Sequence, residues 1–218
     1  MTPSSDPLHQ SVLDRLRDGN RRFMEGTANR FAAEEAEHRR RLADGQSPDT
    51  VVLTCADSRV PPTLIFDQGL GDLFVIRVAG NVVSPEQLGS VEFAVDQLGS
   101  RLVVVLGHTG CGAVTAAVDL LSRPDTPLSD NLRSITDRIE PAAARAVARI
   151  VGDASTHAPL EDDIRSQVIE EAIRLNVHQA AADLRRGSAL IDGLVQSGEL
   201  AIVSAEYCLH NGAVELLD

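Results

Sequence analysis

Leu102-Val103-Val104-Val105-Leu106 is followed at once by Gly107-His108-Thr109-Gly110-Cys111-Gly112. Five aliphatic residues without a polar interruption read as a strand buried on both faces, the habit of strands inside a parallel sheet. The loop after it carries an imidazole and a thiol three residues apart. Its glycines permit the turn that would point both side chains at one ion. From Gly112 through Leu121 the pattern becomes helical, which completes a strand, loop and helix unit.

The same grammar appears upstream. Val51-Val52-Leu53-Thr54 reads as a buried strand, followed by Cys55-Ala56-Asp57-Ser58-Arg59 and then Pro61-Pro62. Leu73 to Val78 forms another strand, ending at Ala79-Gly80-Asn81. Pro85 opens a helix whose apolar positions are Leu88, Val91, Ala94, Val95 and Leu98, and Gly99 closes it. Leu200-Ala201-Ile202-Val203 supplies a fourth strand, and 214–217 an edge strand after the Asn211-Gly212 turn. Strands alternating with helices define an α/β fold: a parallel four-stranded sheet flanked by helices, with a C-terminal edge strand.

We read residues 1–218 as one domain, a size that buries a proper core. Residues 1–45 form a polar helical arm whose apolar stripe, Leu8, Val12, Leu13 and Leu16, needs a surface to cover it; a partner subunit is the expected cover. Residues 46–121 hold the metal-site core. A variable connection over 122–163, rich in Pro, Ser and Asp, surrounds an Ala-rich helix from Pro141 to Val151. Residues 164–218 carry a helix marked by Val168, Ala172 and Leu175, a shorter one from Ser188 to Gln196, and the last strands.

A net charge of -12, one tyrosine, five phenylalanines and no tryptophan provide neither a basic footprint nor a stacking platform, so nucleic acid is excluded as a partner. The run Arg39-Arg40-Arg41 follows Glu34, Glu35 and Glu37 and reads as a solvated helix face. Apolar runs are far shorter than the roughly 20 residues that cross a bilayer, and the N-terminus has no apolar signal core, so a soluble cytoplasmic protein without a membrane partner is expected.

Three cysteines make an odd count. Buried structural thiols are the competing reading for any of them, and a core histidine for His108. The pairing of His108 with Cys111, and the position of Cys55 and His108 beyond parallel strand ends, favour a metal instead, because open α/β sheets bind ligands there. Cys55, His108 and Cys111 supply three zinc ligands, and a catalytic zinc keeps a fourth position for water. Cys208 is left over as a structural thiol, and His9, His38, His157, His178 and His210 have no metal-binding company.

Two thiolates neutralise the formal charge of zinc and weaken it as a Lewis acid. Asp57 and Arg59 answer that weakness. A guanidinium can grip a carboxylate through two parallel hydrogen bonds, which would keep Asp57 ionised and off the metal. Standing alone, Asp57-Ser58-Arg59 would be a surface turn with an ion pair of ~0 to 1 kcal/mol; beside a ligand cysteine it reads as a gate.

Cys-x-Asp-x-Arg at 55–59 and His-x-x-Cys at 108–111, each after an apolar strand, resemble the motifs of a β-class carbonic anhydrase. That resemblance implies one zinc per chain on Cys55, His108 and Cys111, reversible hydration of carbon dioxide to bicarbonate by zinc-bound hydroxide, and Asp57 with Arg59 as the orienting and gating pair. It places Gln46, Val60, Phe66 and Gly112 in the substrate-binding set, with Gln46 acting across a dimer interface. It also implies a homodimer or homotetramer.

One departure stands out. Some members of the family bind inhibitory bicarbonate through a Trp, an Arg and a Tyr at the positions of Val52, Arg77 and Phe93. Only Arg77 survives, so that inhibition is expected to be missing. Rival readings are a carbonyl sulfide or carbon disulfide hydrolase on the same scaffold, and a structural zinc module closed permanently by Asp57.

Overall fold

The computed structural model describes residues 7–28, 35–152 and 160–217. Glu34 and His157, with the start of the arm, its residues 29–34 and part of the connection, lie outside the described residues. In chain order the elements are α1 (Pro7–Met24), α2 (Glu35–Leu42), β1 (Thr50–Thr54), α3 (Pro62–Ile65), β2 (Leu73–Arg77), a 3₁₀ turn (Ala79–Asn81), α4 (Pro85–Gln97), β3 (Leu102–His108), α5 (Gly112–Ser122), α6 (Asp130–Val151), α7 (Asp162–Gly187), α8 (Ala189–Ser197), β4 (Ala201–Tyr207) and β5 (Val214–Leu217).

The sheet runs β2-β1-β3-β4-β5. Its first four strands are parallel and β5 pairs antiparallel to β4. β1 and β3 lie inside the sheet, and all of their residues are buried. This is why they read as unbroken aliphatic runs rather than alternating ones.

Alternate residues of β3 serve opposite layers. Leu102, Val104 and Leu106 join a core with Val12, Leu13 and Leu16 of α1. Val103 and Val105 join one with Val91 and Val95 of α4, Val177 and Leu184 of α7, and Ile191 of α8. A third cluster, built by α5, α6 and α7 beyond the carboxyl ends of the strands, contains Cys55 and Cys111.

Several expectations need correction. The α1 stripe is not left for another subunit: Val12, Leu13 and Leu16 are buried within this chain, and only Leu8 stands out, 56% exposed. Each of the three buried side chains is worth roughly 1.5–3 kcal/mol on that surface. Polar contacts lock the same docking, with Arg15 bidentate on Asp49 at 2.7 and 2.6 Å and the Asn20 amide donating to Ile65 O and Gly212 O.

Pro141 does not open a helix. It sits inside the 22-residue α6, whose N-cap Ser129 accepts from Leu132 N. A proline there forfeits one backbone hydrogen bond. The helix survives because Ile139, Ala142, Ala143, Ala146 and Val147 are buried along it. The connection over 122–163 is accordingly mostly helix where it is described. β3 and β4 also run further than their aliphatic cores, to His108 and Tyr207, whereas β2 stops at Arg77. No helix among the described residues is long and apolar enough to cross a membrane.

Candidate metal centre

Strand register brings the donors together. Thr54 pairs with Leu106, and the Thr54 hydroxyl donates to Leu106 O at 2.8 Å. Cys55, one step further, therefore comes level with Gly107 and beside His108. His108 is the last residue of β3 rather than a loop residue. The chain then turns through Gly110, whose φ of 65° a side chain would resist, and Cys111 becomes the N-cap of α5.

The sulfurs of Cys55 and Cys111 stand 4.0 Å apart, and the donor atoms of Cys55, His108 and Cys111 all lie within 4.8 Å of one another. Sulfurs around a tetrahedral zinc sit about 3.8 Å apart. All three cysteines are free thiols. Cys55, His108 and Cys111 are buried, with exposures of 4%, 0% and 1%.

The imidazole supplies the sharpest test of fit. Its Nδ1 lies 2.9 Å from Thr109 O, a carbonyl that can only accept, so Nδ1 carries the proton. Nε2 is then left with its lone pair, buried and without a hydrogen-bond partner. A buried polar atom without a partner costs about 1–3 kcal/mol. A metal between the two sulfurs would satisfy it, and the backbone carbonyl fixes the ring for that purpose.

The two thiols divide their protons unequally. The Cys111 thiol donates to Cys55, and with the Gly80 N–H this pulls the Cys55 thiol down to about 4 against the cost of burial. Cys111, which keeps the shared proton and is also buried, is pushed up. Burial works against charge on His108, but the Cys55 and Asp57 anions outweigh it and raise the imidazole.

Asp57 is clamped by Arg59. Asp57 Oδ1 accepts from the Arg59 backbone N and Nε, both at 2.9 Å, and Oδ2 accepts from Nη2 at 2.7 Å. These bonds hold the carboxyl well below the usual carboxylate range. Arg77 secures the loop from below, donating from Nε to Cys55 O at 3.1 Å and from Nη2 to Asp57 O at 2.6 Å. Arg77 is thus a structural residue of this loop.

The remaining candidates sit less centrally. Val60 is fully buried directly after Arg59. Phe66 belongs to the core under α1, bordering a small apolar cavity of about 30 Å³ with Leu13, Val104 and Leu216. Gly112 begins α5 beside Cys111. Gln46 is exposed, in an open depression bordered by Arg39, Leu42 and Leu70 in which no residue of the cluster takes part.

Two contributors escaped the motifs. Gly80 donates its N–H to Cys55 Sγ at 3.3 Å, and Asn176 of α7 donates to Gly80 O at 2.8 Å. The positional glycine in Ala79-Gly80-Asn81 and the polar residue in mid-helix were the available signals.

A buried thiol–imidazole–thiol cluster that could hold a metal ion thus lies at the carboxyl edge of a parallel sheet, with a clamped carboxylate alongside. A family model described as carbonic anhydrase matches residues 50–214. Carbonic anhydrase 2 of Mycobacterium tuberculosis is 37% identical over 216 residues, covering 99% of this chain and 95% of that protein. The carbonic anhydrase of Mycolicibacterium smegmatis is 38% identical over 215 residues, covering 98% and 95%. Among solved structures, the β-carbonic anhydrase CcaA matches with TM-score 0.67 and 29% identity over 95% of this chain and 88% of that one. The Coccomyxa β-carbonic anhydrase, in complex with acetazolamide, matches with TM-score 0.69 and 26% identity over 94% and 86%. The chain belongs to the carbonic anhydrase family, in its β class.

Proposed function

We propose that this chain catalyses the reversible hydration of carbon dioxide to bicarbonate and a proton, with Cys55, His108 and Cys111 holding one zinc ion per chain. The observation that carries the reading is the orphaned Nε2 of His108, buried within 4.8 Å of two free thiols. Zinc held there supplies a water acidified enough to act as nucleophile near neutral pH.

The protein's own residues do the rest. Arg59 keeps Asp57 ionised, so Asp57 can only accept a hydrogen bond, and it offers an oxygen 4.0 Å from His108 Nε2 to orient the reacting water. The clamp also holds the carboxylate back from becoming a ligand. This argues against a permanently closed structural module, which would have no use for Arg59. Burial of the cluster excludes bulk water, and we read Val60, directly after Arg59, and Phe66 as the apolar residues for a substrate without a net dipole, although Phe66 packs in the core under α1.

Gly112 completes the substrate side. Gln46, outside the cluster of its own subunit, would serve the partner copy of a homodimer or of a tetramer built from dimers. A reducing cytoplasm suits three free cysteines.

Stopped-flow assays of the purified protein on carbon dioxide, carbonyl sulfide and carbon disulfide test the reading. Rapid turnover of carbon dioxide alone is expected. Turnover of a sulfur-containing substrate without carbon dioxide hydration would overturn it.

A further inference from the structure

Asn176 lies in the middle of α7, where asparagine is a poor helix former, and it is only 2% exposed. Its side chain does not return to its own helix. Nδ2 instead crosses to Gly80 O at 2.8 Å, on the 3₁₀ turn after β2. The backbone of Gly80 has φ 70° and ψ 15°, the left-handed region. A Cβ at this position would come within 2.7 Å of Ile139 Cδ1, the end of a side chain that would have to shift, and 3.2 Å of Ala113 Cβ, while the positive φ itself favours glycine.

The Gly80 residue is therefore held from both ends. Its carbonyl is engaged by Asn176, and its N–H points at Cys55 Sγ, 3.3 Å away. A hydrogen bond to a thiolate is charge-assisted and withdraws density from the sulfur. Partners of this kind, one step removed from a metal, tune its affinity and electronics. In a centre with two thiolates, where excess sulfur charge blunts the metal, that withdrawal has a clear chemical use.

We infer that Asn176 is a positioning residue of the metal centre: by fixing the Gly80 carbonyl it keeps the Gly80 N–H on Cys55 Sγ and so limits the charge that this sulfur gives the metal. The inference rests on the zinc reading above. It links α7, whose residues touch none of the three donors through this contact, to the metal through one backbone unit.

The test uses Asn176→Asp, which keeps the shape but in its ionised form cannot donate, and Asn176→Leu, which fills the volume without polarity. Each is prepared as the zinc protein and as the cobalt-substituted protein. A shifted sulfur-to-cobalt charge-transfer band is expected in both, with zinc affinity in chelator competition changed roughly 10-fold or more and far-ultraviolet circular dichroism unchanged. Folded variants with a wild-type band and wild-type zinc affinity would overturn the inference.

Should the variants fail to fold, the cadmium-113 wild-type protein decides. Scalar coupling between the Gly80 amide proton and cadmium across Cys55 is expected, and its absence would overturn the inference. A wild-type protein that takes up neither cobalt nor zinc at Cys55, His108 and Cys111 would instead defeat the underlying metal reading, and this inference with it.

Discussion

Asp57 Oδ2 stands 4.0 Å from His108 Nε2, close enough to compete for a metal, yet Arg59 holds the same oxygen at 2.7 Å. The carboxylate is placed between two fates, and the guanidinium decides which it takes. Lysine cannot reproduce the two-pronged grip.

Asp57→Asn should therefore retain zinc but lose at least about 10²-fold in carbon dioxide hydration, the scale of a misoriented reacting group. Arg59→Lys should retain zinc and also fall, because a freed Asp57 can occupy the open position. Stopped-flow rates paired with metal content check both. Wild-type turnover in Asp57→Asn would refute the orienting role.

Zinc uptake should be linked to protons in a defined direction. Cys55, with its thiol down to about 4, is already a thiolate at neutral pH, whereas Cys111 keeps its proton and must release it to bind. Between pH 6 and 8 the apparent zinc affinity should rise with pH by about tenfold per unit for each proton displaced. Chelator competition at three pH values measures this, and a flat affinity would contradict it.

Gly80→Ala should destabilise the protein by about 1–3 kcal/mol, since the left-handed backbone penalises a side chain and Ile139 Cδ1 lies 2.7 Å from the new carbon. Denaturant unfolding would show a lower midpoint with unchanged slope. Equal stability would mean that α6 yields at Ile139 and that the turn is not held as described.

Added bicarbonate should cause no steep, cooperative loss of activity at constant ionic strength. Val52 is buried in β1 and offers no donor. Phe93 rests near Phe74 at a centroid distance of 6.3 Å and carries no hydroxyl. Arg77 is occupied by Cys55 O and Asp57 O. A sharp inhibition curve would show that another anion pocket exists.

The parts of this molecule that could be read in the sequence are those where local chemistry and tertiary role agree. Leu102–Leu106 is aliphatic because both sheet faces are covered, and Cys55 follows β1 because the register with β3 sets it beside His108. Where tertiary packing overrides local preference, reading fails. Pro141 looks like a helix start, but buried alanines carry α6 straight through it. The α1 stripe looks unpartnered because its cover, Phe66, Val104 and Leu216 among others, is scattered along the chain. Asn176 could be noticed as a polar residue in mid-helix, but its partner could not be read: the bond to Gly80 spans 96 positions, and no motif encodes such a contact.

The central claim is that two cysteines and one histidine hold a zinc ion that makes this chain a carbon dioxide hydratase. Metal content and hydration rate measured together on the wild type and on Cys55→Ser test it most directly. The account predicts one zinc per wild-type chain with fast hydration, and loss of both in the variant. Full zinc occupancy in Cys55→Ser, or a zinc-loaded wild type that does not hydrate carbon dioxide, would contradict it.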